Sequence, residues 1–281
     1  MVSTGPRLIV NVDDLGLHPA VRRAVEACAA QGTVTSASVL ANGPDQDAVR
    51  PYPGLTLGAH LNILRGAPLS PPREVTSLVG ENGLFLGSFS QLAFRALRGQ
   101  LQLEQVRLEW SRQVAFLGER GLTLSHIDSE QHTHCLPGLF SIACEVAHDH
   151  RIGWVRRSDE RFGNAHFTTA ALRRALLRVL CTRAHASLNI RTTDAVWGIT
   201  EQGSAFTAQS CTQALKGIGP RTIEVICHPG DQRDGDPALP ASFGRMRVHQ
   251  WWEPELRSLL DGSWTAAAVA NGWRLAGFDK S

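Results

Sequence analysis

The sequence predicts an α/β fold built on a largely parallel sheet. Strand-like segments, apolar and rich in β-branched residues, alternate with segments that have the apolar spacing of helices. This alternation is typical of parallel strands joined by helices. A length of 281 residues is ordinary for a barrel-type enzyme, and because patterned segments continue throughout, we expect one domain over residues 1–281. The order of the elements permits either a closed barrel or an open doubly wound sheet.

The first half of the chain predicts three strands and three helices. The first helix has Pro19 in its opening turn and is followed by Gly32, the positions in which these two residues are common. The expected elements are a strand at 7–12, a helix at 19–31, strands at 34–40 and 55–62, and helices at 89–97 and 103–120. The proline- and glycine-rich stretch at 66–87 predicts a loop over the site.

The second half continues the alternation. The expected elements are a strand at 122–128, a helix at 137–150, a short strand at 153–156, a helix at 168–184, a strand at 195–199, a helix at 207–216, a strand at 222–227 and a closing helix near 252–260. Patterned segments flank the polar stretch at 230–240, which therefore predicts an active-site loop more than a linker.

Composition excludes several classes of protein. With 43% apolar and 19% charged residues, the chain does not have the composition of a disordered protein. Its formal net charge of +2 is not the excess of positive charge that favours binding to nucleic acid. The six cysteines lack the CxxC spacing of zinc knuckles and redox pairs, which favours a reduced, cytoplasmic setting. We expect no signal peptide before the first strand and no membrane-spanning helix. The sequence leaves open whether the protein forms a homo-oligomer.

Two adjacent carboxylates, Asp13 and Asp14, follow the first strand. If both were buried, they would repel each other unless a cation or a shared proton compensated. Alternatively, one aspartate would cap the following helix while the other faced water. The pair alone favours neither interpretation.

Histidines near the ends of later strands extend this polar group. His60 lies in an apolar run, where a lone imidazole is more often a satisfied core residue than a ligand. Residues 126–134 contain three histidines and two carboxylates, a density that favours a metal site over a solvated loop. His228 ends another strand, where it would act as a general acid or base or stabilise the turn. These groups can meet because the carboxyl ends of parallel strands converge.

Five ordered motifs resemble the YdjC-like carbohydrate deacetylases, a family that includes chitooligosaccharide and hopanoid-associated deacetylases. The motifs are NVDDLGL at 11–17, GTVTSAS at 32–38 with NGP at 42–44, GAHLN at 58–62, SHIDS at 125–129 with His132 and His134, and ICHPG at 226–230. Five matches in order are more specific than any one of them. The resemblance implies an α/β fold of the single-domain, distorted (β/α) barrel type, TIM-like and similar to polysaccharide deacetylases.

The resemblance also implies a metal-dependent hydrolase that removes an N-acetyl group from an amino sugar or glycoconjugate and releases acetate. It assigns Asp13 as the base that activates water and Asp14 and His60 as ligands of one divalent cation, with the reverse order of the aspartates left open. Magnesium is the cation commonly assigned, and Mn2+, Zn2+ and Co2+ are alternatives.

The chain departs from the family at Glu130, a position usually occupied by a second ligand histidine. Glu130 could bind through oxygen and favour a hard cation such as Mg2+, and we include it with His132 among the expected ligands. His132 or His134 could replace it instead, or the altered site could weaken catalysis. His228 is the expected acid that protonates the leaving amine. Four further residues are expected to contact the saccharide: Asn62, His134, Arg156 and Trp197.

Two other functions could use the same residues. One is a different metallohydrolase, such as a phosphoesterase, with the same ligands. The other is a non-catalytic saccharide-binding module with the same fold, which Glu130 at the usual histidine position motivates. Only the deacetylase releases acetate.

Overall fold

The computed structural model describes residues 6–162, 175, 177, 190–219, 221–243 and 249–279. The helix expected at 168–184 lies outside the described residues, apart from positions 175 and 177. Among the described helices, none combines the length and apolar character needed to cross a membrane.

The strands form one sheet in which every paired neighbour is parallel. The described strands are β1 (Arg7–Leu15), β2 (Ser36–Val39), β3 (Thr56–Leu61), β4 (Leu124–Ser129), β5 (Trp154–Val155), β6 (Ala195–Trp197), β7 (Thr222–Cys227) and β8 (Arg274–Leu275). Their order across the sheet is β5-β4-β3-β2-β1-β7-β6, and β8 pairs with the start of β1. The predicted parallel sheet is therefore confirmed.

Helices connect most of these strands. The described α-helices are α1 (Pro19–Gln31), α2 (Phe89–Leu97), α3 (Leu103–Glu119), α4 (Leu139–Asp149), α5 (Ala208–Ala214), α6 (His249–Leu260) and α7 (Ser263–Asn271). The start of α1 is capped by His18, whose ring nitrogen accepts the backbone N–H of Ala20, and its end is Gly32 with a φ of 76°. The sequence prediction missed α7 and β8.

The sheet curls into an incomplete barrel. Arg156, directly after β5, donates hydrogen bonds to Glu224 of β7 at 2.9 and 2.7 Å. Five strand spacings separate β5 from β7, so in a flat sheet these residues would lie about 24 Å apart. Single parallel bridges, Trp154 to Arg191 and Glu160 to Val196, join the two ends of the sheet. The predicted distorted barrel is confirmed, and the open doubly wound alternative is wrong.

A glycine in β3 makes room for a buried histidine at the centre of the sheet. A Cβ added at Gly58 would lie 2.3 Å from Cε1 of His126, whose ring stacks on Phe278 at a centroid distance of 4.0 Å. We predict that Gly58→Ala lowers the free energy of unfolding by about 1–3 kcal/mol, because the ring must shift against its neighbours. Denaturant unfolding measures the change.

The matched control is Gly118→Ala in α3, where an added Cβ meets no described atom within 4 Å. Alanine favours the helical backbone, so this variant should be unchanged or more stable by up to about 1 kcal/mol. Equal destabilisation of the two variants would contradict the proposed contact at Gly58.

Candidate metal centre and active site

A β-bulge at the end of β1 turns two neighbouring aspartates toward the barrel interior. In a regular strand, Asp13 and Asp14 would point to opposite faces. Here the register with β2 shifts between Val12 and Leu15, and Asp14 has a φ of 64°. Aspartate tolerates this left-handed conformation better than most residues. Both carboxylates are buried, with 3% and 5% of their residue surfaces exposed.

One guanidinium binds three of the buried carboxylates. Arg156, which is completely buried, contacts both oxygens of Asp13 at 2.6 and 2.7 Å. The same side chain forms ion pairs with Asp128 of β4 at 2.6 Å and with Glu224 at 2.7 Å. This network joins β1, β4 and β7 to the residue that follows β5. We call these four residues the Arg156 cluster.

The Arg156 cluster shifts the pKa values of its carboxylates in opposite directions. Burial would raise the pKa of Asp13, but the charge and hydrogen bonds of Arg156 outweigh it and hold the pKa well below its usual range. Burial raises the pKa of Glu224 to about 7, since Asp128 and Asp13 oppose the effect of the same guanidinium. Asp13 therefore stays ionised at neutral pH.

His60 connects the Arg156 cluster to Asp14. Its Nδ1 lies 2.7 Å from Oδ1 of Asp128, and its Nε2 lies 3.4 Å from Oδ1 of Asp14. Burial would lower the pKa of His60, but Asp128 and the other carboxylates raise it well above its usual value. A carboxylate at Nδ1 is the common arrangement for a metal-binding histidine, because it orients the ring and leaves Nε2 for the cation.

The donor atoms fit a divalent cation. Asp13, His60 and Asp128 each place a ligand atom within 4.8 Å of the others. Arg156 already neutralises the two aspartates of this trio, whereas Oδ1 of Asp14 is buried and accepts no hydrogen bond from the described residues. A separation of 3.4 Å between Nε2 of His60 and this oxygen suits two ligands that each bind about 2.1 Å from one ion. We therefore place the candidate cation between His60 and Asp14.

Glu130 is bound by an arginine and lies within electrostatic range of Asp14 and His60. Its Oε1 accepts a hydrogen bond from Arg65, whereas its buried Oε2 accepts none from the part of the chain that the structure describes. Burial raises the pKa of Glu130 to about 7, with Arg65 opposing and the charge of Asp14 adding to the rise. Glu130 can therefore offer Oε2 to a cation while Arg65 balances its charge.

The two histidines after Glu130 have different surroundings. His132 has a left-handed backbone with a φ of 58°, and its Nδ1 lies 2.9 Å from the hydroxyl of Ser158. The ring nitrogens of His134 contact Ser129 and the backbone oxygen of Arg156 at 2.5 and 2.9 Å. His134 thus supports the segment that carries Arg156. Neither histidine belongs to the Asp13–His60–Asp128 grouping found among the described residues.

The residues expected to contact a saccharide lie in the interior. Asn62 is buried, and its Oδ1 accepts the backbone N–H groups of Leu64 and Arg65. Trp197 is completely buried against Phe206 and Trp264. Asn62 therefore shapes a loop and Trp197 fills the core. His134 and Arg156 are buried as well, so direct sugar contact by these four residues stays a prediction that their exposure does not support.

His228 lies at the end of β7, as expected, and is partly exposed. Its backbone N–H donates to Glu255, whose other oxygen accepts the backbone N–H of Gly203. The charge of His228 contributes to the low pKa of Asp13. Nδ1 of His228 has no hydrogen-bond partner among the described residues.

Sequence reasoning missed three charged residues that organise the site. Asp128 appeared only as one member of a polar cluster, yet it joins His60 to Arg156. Glu224 is a charged residue inside an otherwise apolar strand, which was the signal for a buried partner. Arg65 follows the GAHLN motif without any pattern that predicts its pairing with Glu130.

Comparison with known proteins assigns the chain to a family. The sequence profile of the YdjC-like protein family matches residues 7–269. The chain belongs to the YdjC-like family. The match includes every residue of the candidate site, and it confirms the resemblance indicated by the five ordered motifs.

Curated relatives of this YdjC-like protein carry related names. The carbohydrate deacetylase of Mus musculus is 29% identical over 283 residues, which cover 90% of each chain. The carbohydrate deacetylase of Homo sapiens is 28% identical, with 97% of this chain and 90% of the relative covered. The chitooligosaccharide deacetylase of Serratia marcescens is 37% identical over 140 residues, about half of each chain.

A solved structure has the same fold. It is a protein from Enterococcus faecalis provisionally named a cellobiose-phosphate cleavage protein, with a TM-score of 0.71 and 98% of both chains covered. Because only 23% of the residues are identical, this likeness supports the fold alone.

We predict that cation binding to the YdjC-like chain strengthens as pH rises from about 6 to 8. A proton on His60 or Glu130 competes with the cation, and Glu130 has a pKa of about 7. Thermal unfolding at a fixed Mg2+ or Mn2+ concentration should therefore show a larger cation-induced rise in Tm at pH 8 than at pH 6.

The control is Glu130→Gln, which keeps the size of the side chain but removes its proton equilibrium. Its cation response should be weaker and should depend less on pH. A cation-induced rise in Tm that is the same at both pH values in the unaltered protein would contradict the placement of the ion on His60 and Glu130.

Proposed function

We propose that the chain is a metal-dependent carbohydrate N-deacetylase that hydrolyses an N-acetyl group on an amino sugar or glycoconjugate. The observation that carries this proposal is the pair of aspartates with different partners. Asp13 is held ionised by Arg156, whereas Asp14 keeps a buried oxygen beside His60. One carboxylate is thereby suited to proton transfer and the other to a cation. The names of the relatives support a carbohydrate as the acetylated substrate.

The proposed ligands are Asp14, His60 and Glu130. A divalent cation bound there supplies Lewis acidity, which polarises the amide carbonyl and lowers the pKa of water. Two oxygen donors and one imidazole favour a hard cation, and we propose Mg2+, with Mn2+ as its closest substitute. His132 stays a predicted further ligand, because the hydroxyl of Ser158 contacts its Nδ1 as Asp128 contacts that of His60, and a metal-binding histidine commonly has such a partner at its other ring nitrogen.

Asp13 is the proposed base. Its Oδ1 accepts hydrogen bonds from Arg156 and Asn11, but its Oδ2 accepts only one from the described residues, which leaves a lone pair for water. The low pKa that Arg156 imposes ensures that Asp13 is ionised, although it also weakens the carboxylate as a base. Asp13 would therefore accept a proton only from water whose pKa a bound cation had lowered.

His228 is the proposed general acid. The nitrogen of an amide leaves poorly unless it is protonated, and an imidazole can donate a proton near neutral pH. Glu255 fixes the backbone of His228, whose ring is partly exposed although its Nδ1 is buried. His228 can thus protonate the amine as the C–N bond breaks, and acetate and a free amino sugar are the products.

We predict that replacing each aspartate by asparagine impairs a different property, catalysis for Asp13 and cation binding for Asp14. Asp13→Asn should retain cation binding and lose about 100-fold or more in the rate of acetate release, because a base is removed. Asp14→Asn should lose cation affinity and therefore activity. Acetate release is measured on N-acetylated mono-, di- and oligosaccharides with metal-stripped protein and added Mg2+, Mn2+, Zn2+ or Co2+, and cation affinity by calorimetry.

The control is Asp47→Asn, an exposed aspartate that forms a surface ion pair with Arg120. Asp47→Asn should change neither the rate of acetate release nor the cation affinity. If Asp14→Asn retained cation binding while Asp13→Asn lost it, the roles of the aspartates would be reversed. Cation-dependent hydrolysis of phosphate esters without acetate release would support a phosphoesterase, and sugar binding without any turnover would support a binding module.

A further inference from the structure

Trp251 differs from the other tryptophans in its exposure. All seven tryptophans lie in described residues, and six of them are buried. Trp251 alone is partly exposed, at the start of α6. An indole that keeps a solvent-facing side has apolar area available for a ligand.

The indole of Trp251 lies beside the proposed acid. The rings of Trp251 and His228 are 5.5 Å apart between centroids and tilted by 57°. His228 is also partly exposed, so each of the two neighbouring rings keeps some accessible surface. A group bound against Trp251 would therefore lie next to the imidazole that protonates the leaving amine.

Glu255 ties Trp251 to this position through the helix. Trp251 and Glu255 are four residues apart on α6 and so lie on the same side of it. The carboxylate of Glu255 binds the backbone N–H groups of His228 and Gly203. A Cβ at Gly203 would come within 3.0 Å of Cδ1 of Trp251, so glycine permits the close approach of this loop to the indole. Helix α6, through Glu255, thus holds the indole of Trp251, the imidazole of His228 and the loop at Gly203 close together.

We propose that Trp251 is the platform on which the sugar ring of the substrate binds, with its acetamido group directed toward His228. The proposal rests on the carbohydrate deacetylase function proposed above. Pyranose rings have apolar C–H faces, and an aromatic side chain in a polar site supplies the apolar surface that such a face needs. Trp251 is therefore a specificity-determining residue that contributes to sugar binding and takes no part in proton transfer.

Tryptophan fluorescence tests this proposal directly, because sugar contact changes the emission of an exposed indole and leaves buried ones unaffected. The probes are N-acetylglucosamine and its β-1,4-linked dimer, added to metal-stripped full-length protein so that binding is observed without turnover. The dimer should change the emission of the unaltered protein. Trp251→Phe should lose this response, while retaining part of the affinity measured by calorimetry.

Kinetics provide the second measurement. In the cation-loaded protein, Trp251→Leu should raise KM for acetate release about tenfold and leave kcat within about twofold, since the ring binds ground state and transition state alike. Trp251→Phe should restore most of the affinity because it keeps an aromatic face. Far-UV circular dichroism and thermal unfolding verify that each variant is folded.

The control is Trp154→Phe. Trp154 is buried, with Arg191 over its ring and Phe278 in an edge-to-face contact, and its indole N–H donates to the backbone oxygen of Asp279. This variant should keep both the fluorescence response and the KM of the unaltered protein.

A normal fluorescence response in Trp251→Phe, or an unchanged KM in Trp251→Leu, would overturn the platform. Sugar binding that depends on Trp251 without acetate release would support the platform and contradict only the proposed reaction. Failure of the unaltered protein to bind either sugar would overturn both.

Discussion

The buried guanidinium of Arg156 is the interaction on which the site depends. Moving three carboxylates out of water without compensation would cost several kcal/mol for each charge. Arg156 compensates Asp13, Asp128 and Glu224 together at 2.6–2.7 Å, but only because the curled sheet brings β1, β4 and β7 around one point. The charge network and the barrel are therefore mutually dependent, since a flat sheet would leave these charges unpaired.

The guanidinium also separates the roles of two adjacent aspartates. Asp13 is bound through both oxygens, whereas the bulge at Asp14 directs the second carboxylate away from Arg156 and toward His60. Left-handed backbone recurs at His132, in the segment that begins with Glu130. Strained conformations of this kind concentrate at functional sites, where the surrounding structure maintains them. The left-handed backbone thus falls on one proposed cation ligand, Asp14, and two residues after another, Glu130.

Much of the fold could be predicted because its signals are local. The boundaries of α1, α2 and β7 were predicted as observed, since proline, glycine and apolar periodicity mark them within a few residues. The last helix, α7, was missed because its alanine-rich sequence has little amphipathic pattern. Periodicity also left barrel and open sheet undecided, because closure depends on contacts between distant segments.

In the candidate site too, features encoded by neighbouring residues could be predicted, whereas contacts between residues far apart in sequence could not. Asp13, Asp14, His60 and His228 were found because polar residues at strand ends are visible in the sequence. Arg156 was assigned to the substrate, yet its partner Asp13 lies 143 positions away and no local pattern connects them. Trp197 could not be distinguished from Trp251 by sequence, because burial alone separates a core tryptophan from an accessible one.

The most direct test of this account is a crystal structure of the protein with Mn2+, with the ion located by its anomalous scattering. We predict a peak about 2.1–2.2 Å from Nε2 of His60 and from a carboxylate oxygen of Asp14, with Arg156 still paired to Asp13 and Asp128. An ion bound by Asp13 and Asp128 in place of Arg156 would contradict the account, because the guanidinium would then occupy the cation site instead of preparing the residues around it.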